Sequence, residues 1–169
     1  MSMSEKEAAA LSALDQMNIP YIRLEHSPCA SMEECAAIVS PSGAKHCKNL
    51  FLTNKRGTEF YLLLLHREKR FVTSEVSKLL GSTRLSFAAD DKLSELLGLT
   101  PGSISVTGLI NDTKRKVHPV IDADILKEEK MLIHPSVNTA SLEVKTSDVK
   151  RFVEGLGYEV RVIFGNSEE

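Results

Sequence analysis

The sequence predicts an α+β domain built around a mixed, curved β-sheet that is flanked by helices. Its helical and strand-like segments do not alternate one for one, and several strand-like segments follow each other between residues 105 and 144. That order is typical of α+β domains and disfavours a doubly wound parallel sheet. The sequence has no GxGxxG, GxxxxGK[ST], GxSxG or HExxH pattern, so the best signals for dinucleotide binding, nucleotide hydrolysis and common hydrolase folds are missing.

Length and composition indicate one ordinary globular domain. The 169 residues, 42% hydrophobic and 26% charged, can form a core that needs no disulfide or metal. We expect one domain over residues 1–169, with a frayed polar tail at 165–169.

A net charge of -2 excludes a broadly basic nucleic-acid-binding surface, so any RNA contact must use a local patch. No apolar run could span a bilayer and no signal pattern opens the sequence, so we expect no membrane contact and a cytoplasmic location.

Capping signals and apolar spacing predict two helices in the N-terminal part of the chain. Residues 4–17 begin with a Ser-x-x-Glu capping box and continue with apolar residues at helical spacing. Residues 31–39 begin in the same way and end before a Ser-Pro-Ser-Gly break. Between the two helices, residues 21–25 alternate in polarity and predict a strand.

A β-hairpin and two short helices are predicted in the middle of the chain. Residues 49–53 and 59–66 are apolar runs separated by an Asn-Lys-Arg-Gly turn. The second run does not alternate in polarity, so both faces of that strand should be covered. Helices at 73–80 and 90–97 each end at a glycine, on either side of a short strand at 84–87.

Strand-like segments dominate the C-terminal third of the sequence. The predicted strands are 105–110, 117–121, 130–133, 141–144 and 158–164, with a helix at 147–156 before the last of them. These consecutive strands are the reason for predicting a mixed sheet rather than repeated strand–helix units.

The three cysteines are not spaced as a disulfide framework or as zinc-binding pairs. Cys29, Cys35 and Cys47 are odd in number, and no CxxC pattern occurs. We expect small, buried or half-buried free thiols and no metal. A zinc site formed by Cys35, His46 and Cys47 is the alternative that the sequence leaves open.

Two segments could bind an anion or a polarised carbonyl group. Residues 45–49, Lys-His-Cys-Lys-Asn, precede an apolar strand, and a lysine ammonium there could hold a phosphate. A solvated polar loop is the simpler interpretation. Residues 99–105 contain a Pro-Gly-Ser turn whose backbone N–H groups could face an anion or a carbonyl oxygen. A tight turn is nevertheless the commonest use of Pro-Gly.

Two further segments carry polar side chains beside predicted strands. Residues 133–139 place His134 and Asn138 around a proline in a loop, where they could orient a small polar substrate or only satisfy the loop's own backbone. Residues 109–116 join an Asn-Asp turn to three cations that could touch an RNA backbone, although a solvated turn is simpler. Taken singly, these four segments predict only an α+β domain with a small-molecule or RNA-linked site.

The order of the segments resembles one protein family. The motifs that carry the resemblance are KNLFL at 48–52, LSFA at 85–88, LTPGS at 99–103, LIND at 109–112, and HP and NT within 134–139. Over nearly its whole length the chain resembles the YbaK/prolyl-tRNA-synthetase-associated editing domains, and most closely the ProX-type branch, the free-standing prolyl-tRNA deacylases. The resemblance implies an α+β fold around a barrel-like sheet. It also implies hydrolysis in trans of the ester between a wrong amino acid and proline tRNA, with alanine removed in this branch and cysteine in the YbaK branch.

The resemblance also implies which residues act. Lys48 matches the family lysine that is associated with the terminal adenosine and its phosphate. Gly102 matches the glycine loop whose amides face the substrate carbonyl, and His134 matches the pocket histidine. These three are the predicted catalytic residues. The predicted substrate-binding residues are Asn49, Ser103, Ile104 and Asn138.

One departure from the family pattern leaves alternatives open. The family loop reads Gly-x-x-x-Pro, whereas the fourth position after Gly102 is Val106, which does not have the fixed φ of proline. Removal of cysteine or another small amino acid stays open, as does a non-catalytic module that binds an amino acid or a charged tRNA. The implied partners are the acceptor end of proline tRNA and a small amino acid moiety, with no DNA, no metal and no cofactor. A homodimer is left open.

Overall fold

The computed structural model describes residues 4–29 and 31–165, which form six α-helices and eight strands. The helices are α1 (Glu5–Gln16), α2 (Met32–Ala36), α3 (Thr73–Leu80), α4 (Asp90–Leu97), α5 (Ala123–Leu126) and α6 (Thr146–Gly155). The strands are β1 (Ile22–Glu25), β2 (Lys48–Thr53), β3 (Phe60–Leu65), β4 (Ser86–Phe87), β5 (Val117–Asp122), β6 (Lys130–Ile133), β7 (Ala140–Lys145) and β8 (Arg161–Ile163). Two 3₁₀-helices, Pro101–Ser103 and Val106–Asn111, lie between α4 and β5. Of the predicted tail, residues 166–169 lie outside the described residues.

The strands form two sheets, one of three strands and one of five. The smaller sheet, in the order β1-β7-β6, is antiparallel throughout. The larger sheet, in the order β4-β2-β3-β5-β8, is mixed, because β3, β5 and β8 run parallel while β2 pairs antiparallel with β3 and β4. The predicted α+β fold with a mixed sheet is confirmed. Among the described residues the two sheets stay separate and do not close into a barrel.

The larger sheet is covered on both faces. On β3, Leu62 and Leu64 belong to one apolar cluster, and Leu63 and Leu65 belong to another that includes Val76 of α3. Side chains alternate between the faces of a strand, so one apolar run supplies both clusters. The four leucines are at most 3% exposed. This confirms the prediction that the uninterrupted apolar run is buried on both sides.

Local sequence signals set the helix ends. The hydroxyl of Ser4 accepts a 3.2 Å hydrogen bond from the backbone N–H of Glu7 and caps α1. Gly81 and Gly98 end α3 and α4 with φ of 65° and 67°, in a left-handed conformation that glycine adopts without a Cβ clash. These three helices are confirmed to within a residue of their predicted ends.

In the part of the chain that the structure describes, no helix combines the length and the apolar character that crossing a bilayer requires.

The predicted strand at 105–110 is wrong, because Val106–Asn111 is a 3₁₀-helix. The Ser105 hydroxyl caps this helix by accepting a 3.3 Å hydrogen bond from the backbone N–H of Thr107. Four successive residues of the helix are buried. A Cβ at Gly108 would lie only 2.6 Å from a leucine side chain that follows α4. The close approach of this turn to α4 therefore depends on glycine.

The two sheets meet where the predicted site residues lie. His46, just before β2, forms a parallel bridge with Leu132 of β6, and the backbone N–H of Leu132 donates to the carbonyl of Lys45 at 3.0 Å. This bridge brings the start of β2 beside the end of β6. Lys48 begins β2 and His134 follows β6, so two residues that are far apart in sequence come to the same region.

Candidate active site

One pocket, of about 240 Å³, brings most of the predicted site residues together. Its lining includes the three predicted catalytic residues, Lys48, Gly102 and His134. It also includes two of the predicted substrate-binding residues, Asn49 and Ile104. The rest of the wall is formed by Cys29, Ser31, Met32, Cys35, Leu50 and Pro101. Ser103 and Asn138, both among the described residues, are not part of this lining.

A larger groove, of about 950 Å³, runs beside β5 and β8. It contains none of the predicted site residues. Its His118 lies 2.8 Å from a carboxylate oxygen of Glu59, and both side chains are about half exposed. Exposed pairs of this kind are ordinary surface features. The smaller pocket is therefore the candidate active site, because its lining carries the candidate chemistry.

Lys48 supplies a cation to the pocket wall. Its ammonium donates a hydrogen bond to the backbone carbonyl of Lys69, in the loop after β3. This bond uses one of the three donors of an ammonium, so the group can still bind an anion. The side-chain amide of Asn49, the next residue, donates to the carbonyl of Cys47 at 3.3 Å.

A buried carboxylate holds the loop that receives Lys48. Asp122, at the end of β5, is fully buried. Its carboxylate accepts hydrogen bonds from the Lys69 ammonium at 2.7 Å and from the backbone N–H groups of His66 and Asp124, both at 2.9 Å. Burial alone would lower the pKa of Lys69, but hydrogen bonds to Asp122 and Asp124 outweigh burial and raise it. Lys69 and Asp122 therefore position Lys48, a role for which the sequence carries no local signal.

Gly102 lies in a turn that is fixed from behind by its neighbours. The backbone N–H of Thr100 donates to Ser103 Oγ at 3.2 Å. The hydroxyl and the backbone N–H of Ser103 both donate to the carbonyl of Thr100, at 3.1 and 2.9 Å. Ser103 is 4% exposed. The structure thus places Ser103 behind the turn, while Gly102 and Ile104 line the pocket.

His134 is a buried, neutral imidazole in the pocket wall. Its Nδ1 atom lies 3.2 Å from the carbonyl oxygen of Ala140, which can only accept, so Nδ1 carries the proton. Burial lowers the pKa of His134 by more than the hydrogen bond to Ala140 raises it. Nε2 is therefore an unprotonated acceptor. It lies 4.0 Å from the sulfur of Cys29 and 3.9 Å from the sulfur of Cys35.

Two further histidines lie next to His134. The ring of His46 is 4.5 Å from that of His134, and burial, with His134 and His26 nearby, lowers the pKa of His46 to about 3. The Nε2 atoms of His46 and His26 both lie 2.8 Å from the hydroxyl of Ser141. A hydroxyl has only one proton to donate, so at least one of these two rings donates to it. The cluster joins separate segments of the chain, and sequence spacing did not reveal it.

The prediction of three free thiols is wrong for two of the cysteines. Cys29 and Cys35 form a disulfide in the pocket wall, with their Cα atoms 5.3 Å apart, because the turn into α2 brings them together. Cys47 is the free thiol, and burial raises its pKa to about 12. The sequence had left open a zinc site of Cys35, His46 and Cys47. In the structure Cys35 lies beside Cys29 instead, and His46 is bonded to Ser141.

The residue that holds the backbone of His134 carries no recognisable signal in the sequence. Thr107, in the second 3₁₀-helix, is fully buried, and its hydroxyl donates to the carbonyl of His134 at 3.1 Å. The same hydroxyl lies 2.8 Å from that of Ser136. Asn138 contributes its backbone carbonyl, which accepts from the N–H of Cys29 at 3.1 Å. Thr107 and Asn138 thus support the two segments that bring His134 and Cys29 to the pocket.

Comparison with known proteins gives this geometry a context. Residues 26–152, well over half of the chain, match the family model described as the aminoacyl-tRNA editing domain. The chain belongs to the aminoacyl-tRNA editing domain family. This editing-domain chain is 31% identical, over 163 residues, to the prolyl-tRNA editing protein ProX of Acetoanaerobium sticklandii. The match covers 96% of this chain and 99% of that relative.

More distant relatives cover the editing-domain chain almost as completely. It is 28% identical to the prolyl-tRNA synthetase associated domain-containing protein 1 of Danio rerio, over 90% of this chain and 89% of that one. A crystal structure of a proposed trans-editing enzyme for prolyl-tRNA synthetase matches with a TM-score of 0.72 at 19% identity, covering 95% and 98% of the two chains. That likeness supports the fold. Family membership makes the chain an aminoacyl-tRNA deacylase, as the sequence predicted.

Proposed function

We propose that this editing-domain protein is a trans-editing deacylase that hydrolyses Ala-tRNA(Pro) in the cytoplasm. One observation carries the proposal: Lys48, Gly102 and His134, from three separate segments, line one pocket of about 240 Å³. The relative in Acetoanaerobium sticklandii is named for prolyl-tRNA editing, which supports proline tRNA as the substrate carrier.

The proposed reaction depends on positioning rather than on a strong nucleophile. An aminoacyl ester is already activated, so holding it beside water and polarising its carbonyl contribute most of the rate enhancement. The oxygen of water attacks the carbonyl carbon, the bond to the ribose oxygen breaks, and a proton passes to that ribose oxygen. The products are free alanine and tRNA with a free terminal ribose. The neighbouring ribose hydroxyl of the tRNA helps to activate the water, as the family resemblance implies.

Each of the three residues has a distinct part in this reaction. The Lys48 ammonium acts as a point charge on the phosphate of the terminal adenosine. The turn at Gly102 presents backbone N–H groups to the carbonyl oxygen on which negative charge develops. The unprotonated Nε2 atom of His134 accepts a hydrogen bond from the amino group of the substrate. Asn49 and Ile104 complete the contacts, since both line the same pocket.

Exclusion by size sets the choice of amino acid in this proposal. One methylene in an apolar pocket changes binding by only about 1–3 kcal/mol, which is too little to separate alanine from proline reliably. A small pocket with a rigid wall can reject the proline ring outright. The hydrogen-bonded turn behind Gly102 and the bond from Thr107 to the carbonyl of His134 stiffen two sides of that wall.

A panel of charged tRNAs tests the proposal. Purified protein is incubated with Ala-, Cys-, Ser- and Pro-tRNA(Pro), and release of the amino acid is followed over time. We expect alanine to be released fastest and Pro-tRNA(Pro) to stay intact. We expect Lys48→Met to slow alanine release about 100-fold, the loss typical of one electrostatic group in an active site. Its circular dichroism should match that of the unchanged protein.

Lys55→Met is the matched control, because Lys55 is exposed in the hairpin turn between β2 and β3. It should keep the full rate. Faster release of cysteine or serine would assign a different substrate to the pocket. Tight binding of charged tRNA with no release would identify a non-catalytic module. A Lys48→Met protein that clears Ala-tRNA(Pro) at the normal rate would show that the assigned site is wrong.

A further inference from the structure

Three potential metal ligands converge in the wall of the candidate pocket. The sulfurs of Cys29 and Cys35 and a ring nitrogen of His134 lie within 4.8 Å of one another. The three residues are at most 7% exposed, and they come from the segment after β1, from α2 and from the segment after β6. Thiolate and imidazole are ligands that zinc prefers, and three protein ligands with an open fourth position are typical of accessible zinc sites.

His134 is already held in the orientation of a ligand. Its Nδ1–H donates to the carbonyl of Ala140, which leaves the Nε2 lone pair directed toward the two sulfurs. A hydrogen bond from the second ring nitrogen to a carbonyl is the usual device that orients metal-binding histidines. The backbone of His134 is also fixed, by the hydroxyl of Thr107 at 3.1 Å. The ring therefore needs no rearrangement to bind a cation.

The spacing of the three groups fits a zinc ion once the disulfide is reduced. Zn–S bonds of about 2.3 Å and Zn–N bonds of about 2.0 Å, at tetrahedral angles, put sulfur and nitrogen about 3.5 Å apart and two sulfurs about 3.8 Å apart. The Nε2 atom of His134 is 4.0 Å from the sulfur of Cys29 and 3.9 Å from that of Cys35. The main change is therefore a separation of the two sulfurs. Both cysteines line the pocket, so each side chain has the pocket on one side.

We propose that the reduced protein binds one Zn²⁺ ion through the thiolates of Cys29 and Cys35 and the Nε2 atom of His134, with the fourth coordination position open to the pocket. A dithiol reductant supplies the two electrons and two protons that convert the disulfide into two thiols, and it becomes a disulfide itself. Zinc then displaces the two thiol protons into solvent. Disulfide and zinc exclude each other, because a disulfide sulfur has no thiolate charge to offer. The site departs from the metal-free pocket that the sequence predicts.

Zinc at this position would oppose editing, a consequence that rests on the proposed function. It would take the Nε2 lone pair of His134 away from the substrate amino group. The ion would also take up room in a pocket of only about 240 Å³. We therefore expect the zinc-loaded protein to release alanine at least tenfold more slowly than the reduced, zinc-free protein.

Metal titration of the full-length protein in two redox states tests the site directly. The protein is reduced with a dithiol, freed of reductant without air, and titrated with Co²⁺ and with Zn²⁺ by absorption spectroscopy and calorimetry. We expect one equivalent to bind, with the cobalt–thiolate absorption of a Cys₂His site. The oxidised protein has the same sequence and the disulfide, and we expect it to bind neither metal. This comparison needs no variant and so does not depend on a substitution being tolerated.

Single variants assign the ligands. Cys29→Ser, Cys35→Ser and His134→Gln should each weaken zinc binding about 100-fold or more. Cys47→Ser is the control, because Cys47 is also buried but lies outside the cluster, and it should bind zinc normally. Equal binding by the reduced and oxidised proteins, or normal binding by either Cys29→Ser or Cys35→Ser, would overturn the proposal. Zinc binding is read without tRNA, so failure of the metal site and failure of the proposed deacylation are distinguishable.

Discussion

The hydroxyl of Thr107 donates a 3.1 Å hydrogen bond to the backbone carbonyl of His134 and lies 2.8 Å from the hydroxyl of Ser136. Thr107 has a single hydroxyl proton, so Ser136 is the donor in the second contact. All three residues are buried. This short chain of hydrogen bonds connects the second 3₁₀-helix, Val106–Asn111, to the segment that carries His134.

Thr107→Val should weaken both the fold and the candidate site. Valine keeps the shape of threonine but leaves the buried Ser136 hydroxyl without its acceptor and the carbonyl of His134 without its donor. We expect the free energy of unfolding to fall by about 1–3 kcal/mol, the usual cost of buried polar groups that lose their partners. Urea unfolding measures that loss. Alanine release, measured well below the unfolding transition, should also slow, because His134 is less well held.

Thr113→Val is the matched control for this change. Thr113 is exposed, in the turn that follows the same 3₁₀-helix, and its substitution should leave stability and rate unchanged. If Thr107→Val unfolds at the same urea concentration as the unchanged protein, the hydrogen bonds at this position make no net contribution to the free energy of unfolding.

Much of the fold could be predicted because its signals are local. A serine cap begins α1, and glycines at 81 and 98 end α3 and α4, through contacts with residues only a few positions away. The apolar run of β3 predicted a strand covered on both faces, which the structure confirms. The strand expected at 105–110 is instead a 3₁₀-helix that lies against the end of α4, a contact between separate elements that the apolar pattern of the segment does not reveal.

In the candidate site, too, some residues could be predicted from the sequence and others could not. Lys48, Gly102 and His134 could be named because short motifs in a characteristic order carry the resemblance to the family. The residues that hold them could not, because each acts across the fold: Asp122 reaches Lys48 through Lys69, and Thr107 reaches His134. The disulfide was missed for a related reason, since cysteine spacing does not reveal the turn that brings its two ends together.

Asp122→Asn should impair the site through Lys69. The buried carboxylate holds the Lys69 ammonium at 2.7 Å, and the carbonyl of Lys69 in turn receives the Lys48 ammonium. Loss of this charge should lower the free energy of unfolding by about 1–3 kcal/mol, since a charged hydrogen bond becomes a neutral one in a buried position. Below the unfolding transition, alanine release should still be slower, because the loop that positions Lys48 is looser.

Asp124→Asn provides the comparison, because Asp124 contacts the same ammonium at 2.9 Å but is 39% exposed. Solvent screens that pair, so its loss should change stability and rate much less. Equal effects of the two substitutions would mean that burial of Asp122 is not what holds the loop.

The contribution of Glu143 to stability should depend on pH. Burial alone would raise the pKa of Glu143, but hydrogen bonds from the hydroxyl and backbone N–H of Ser42, at 2.8 and 3.1 Å, together with the nearby Ser40 hydroxyl and Lys130 ammonium, outweigh burial and lower it. A carboxyl group whose pKa is lowered by folding stabilises the fold above its unfolded pKa, and this stabilisation is lost as the pH falls through the folded pKa. Glu143→Gln should therefore cost about 1–2 kcal/mol at neutral pH and progressively less below about pH 4.

Urea unfolding of the two proteins across this pH range measures the difference. Glu25→Gln serves as the control, because the Glu25 side chain is 72% exposed and its substitution should have a small effect at every pH. A Glu143→Gln penalty that stays constant down to the acid end would mean that the carboxylate charge is not what Ser42 stabilises.

Val106→Pro should be tolerated and should keep or raise the rate of alanine release. Val106 occupies the first position of its 3₁₀-helix, where proline is favoured because its missing N–H has no intrahelical acceptor. The preceding Ser105 has φ of -163° and ψ of 157°, an extended conformation that suits the residue before proline. Proline would restrict the unfolded chain. The free energy of unfolding should therefore rise, or fall by no more than about 1 kcal/mol.

Val106→Ala separates the backbone effect from packing. Val106 is 2% exposed in the main apolar cluster, so alanine removes buried contacts without fixing φ, and it should be destabilising. If a backbone that suits proline is what matters here, Val106→Pro should keep or raise the free energy of unfolding and the rate of alanine release, whereas Val106→Ala should lower them. A Val106→Pro protein that is less stable or slower than Val106→Ala would show that this loop needs the freedom of valine, and that the departure from the family pattern is a functional one.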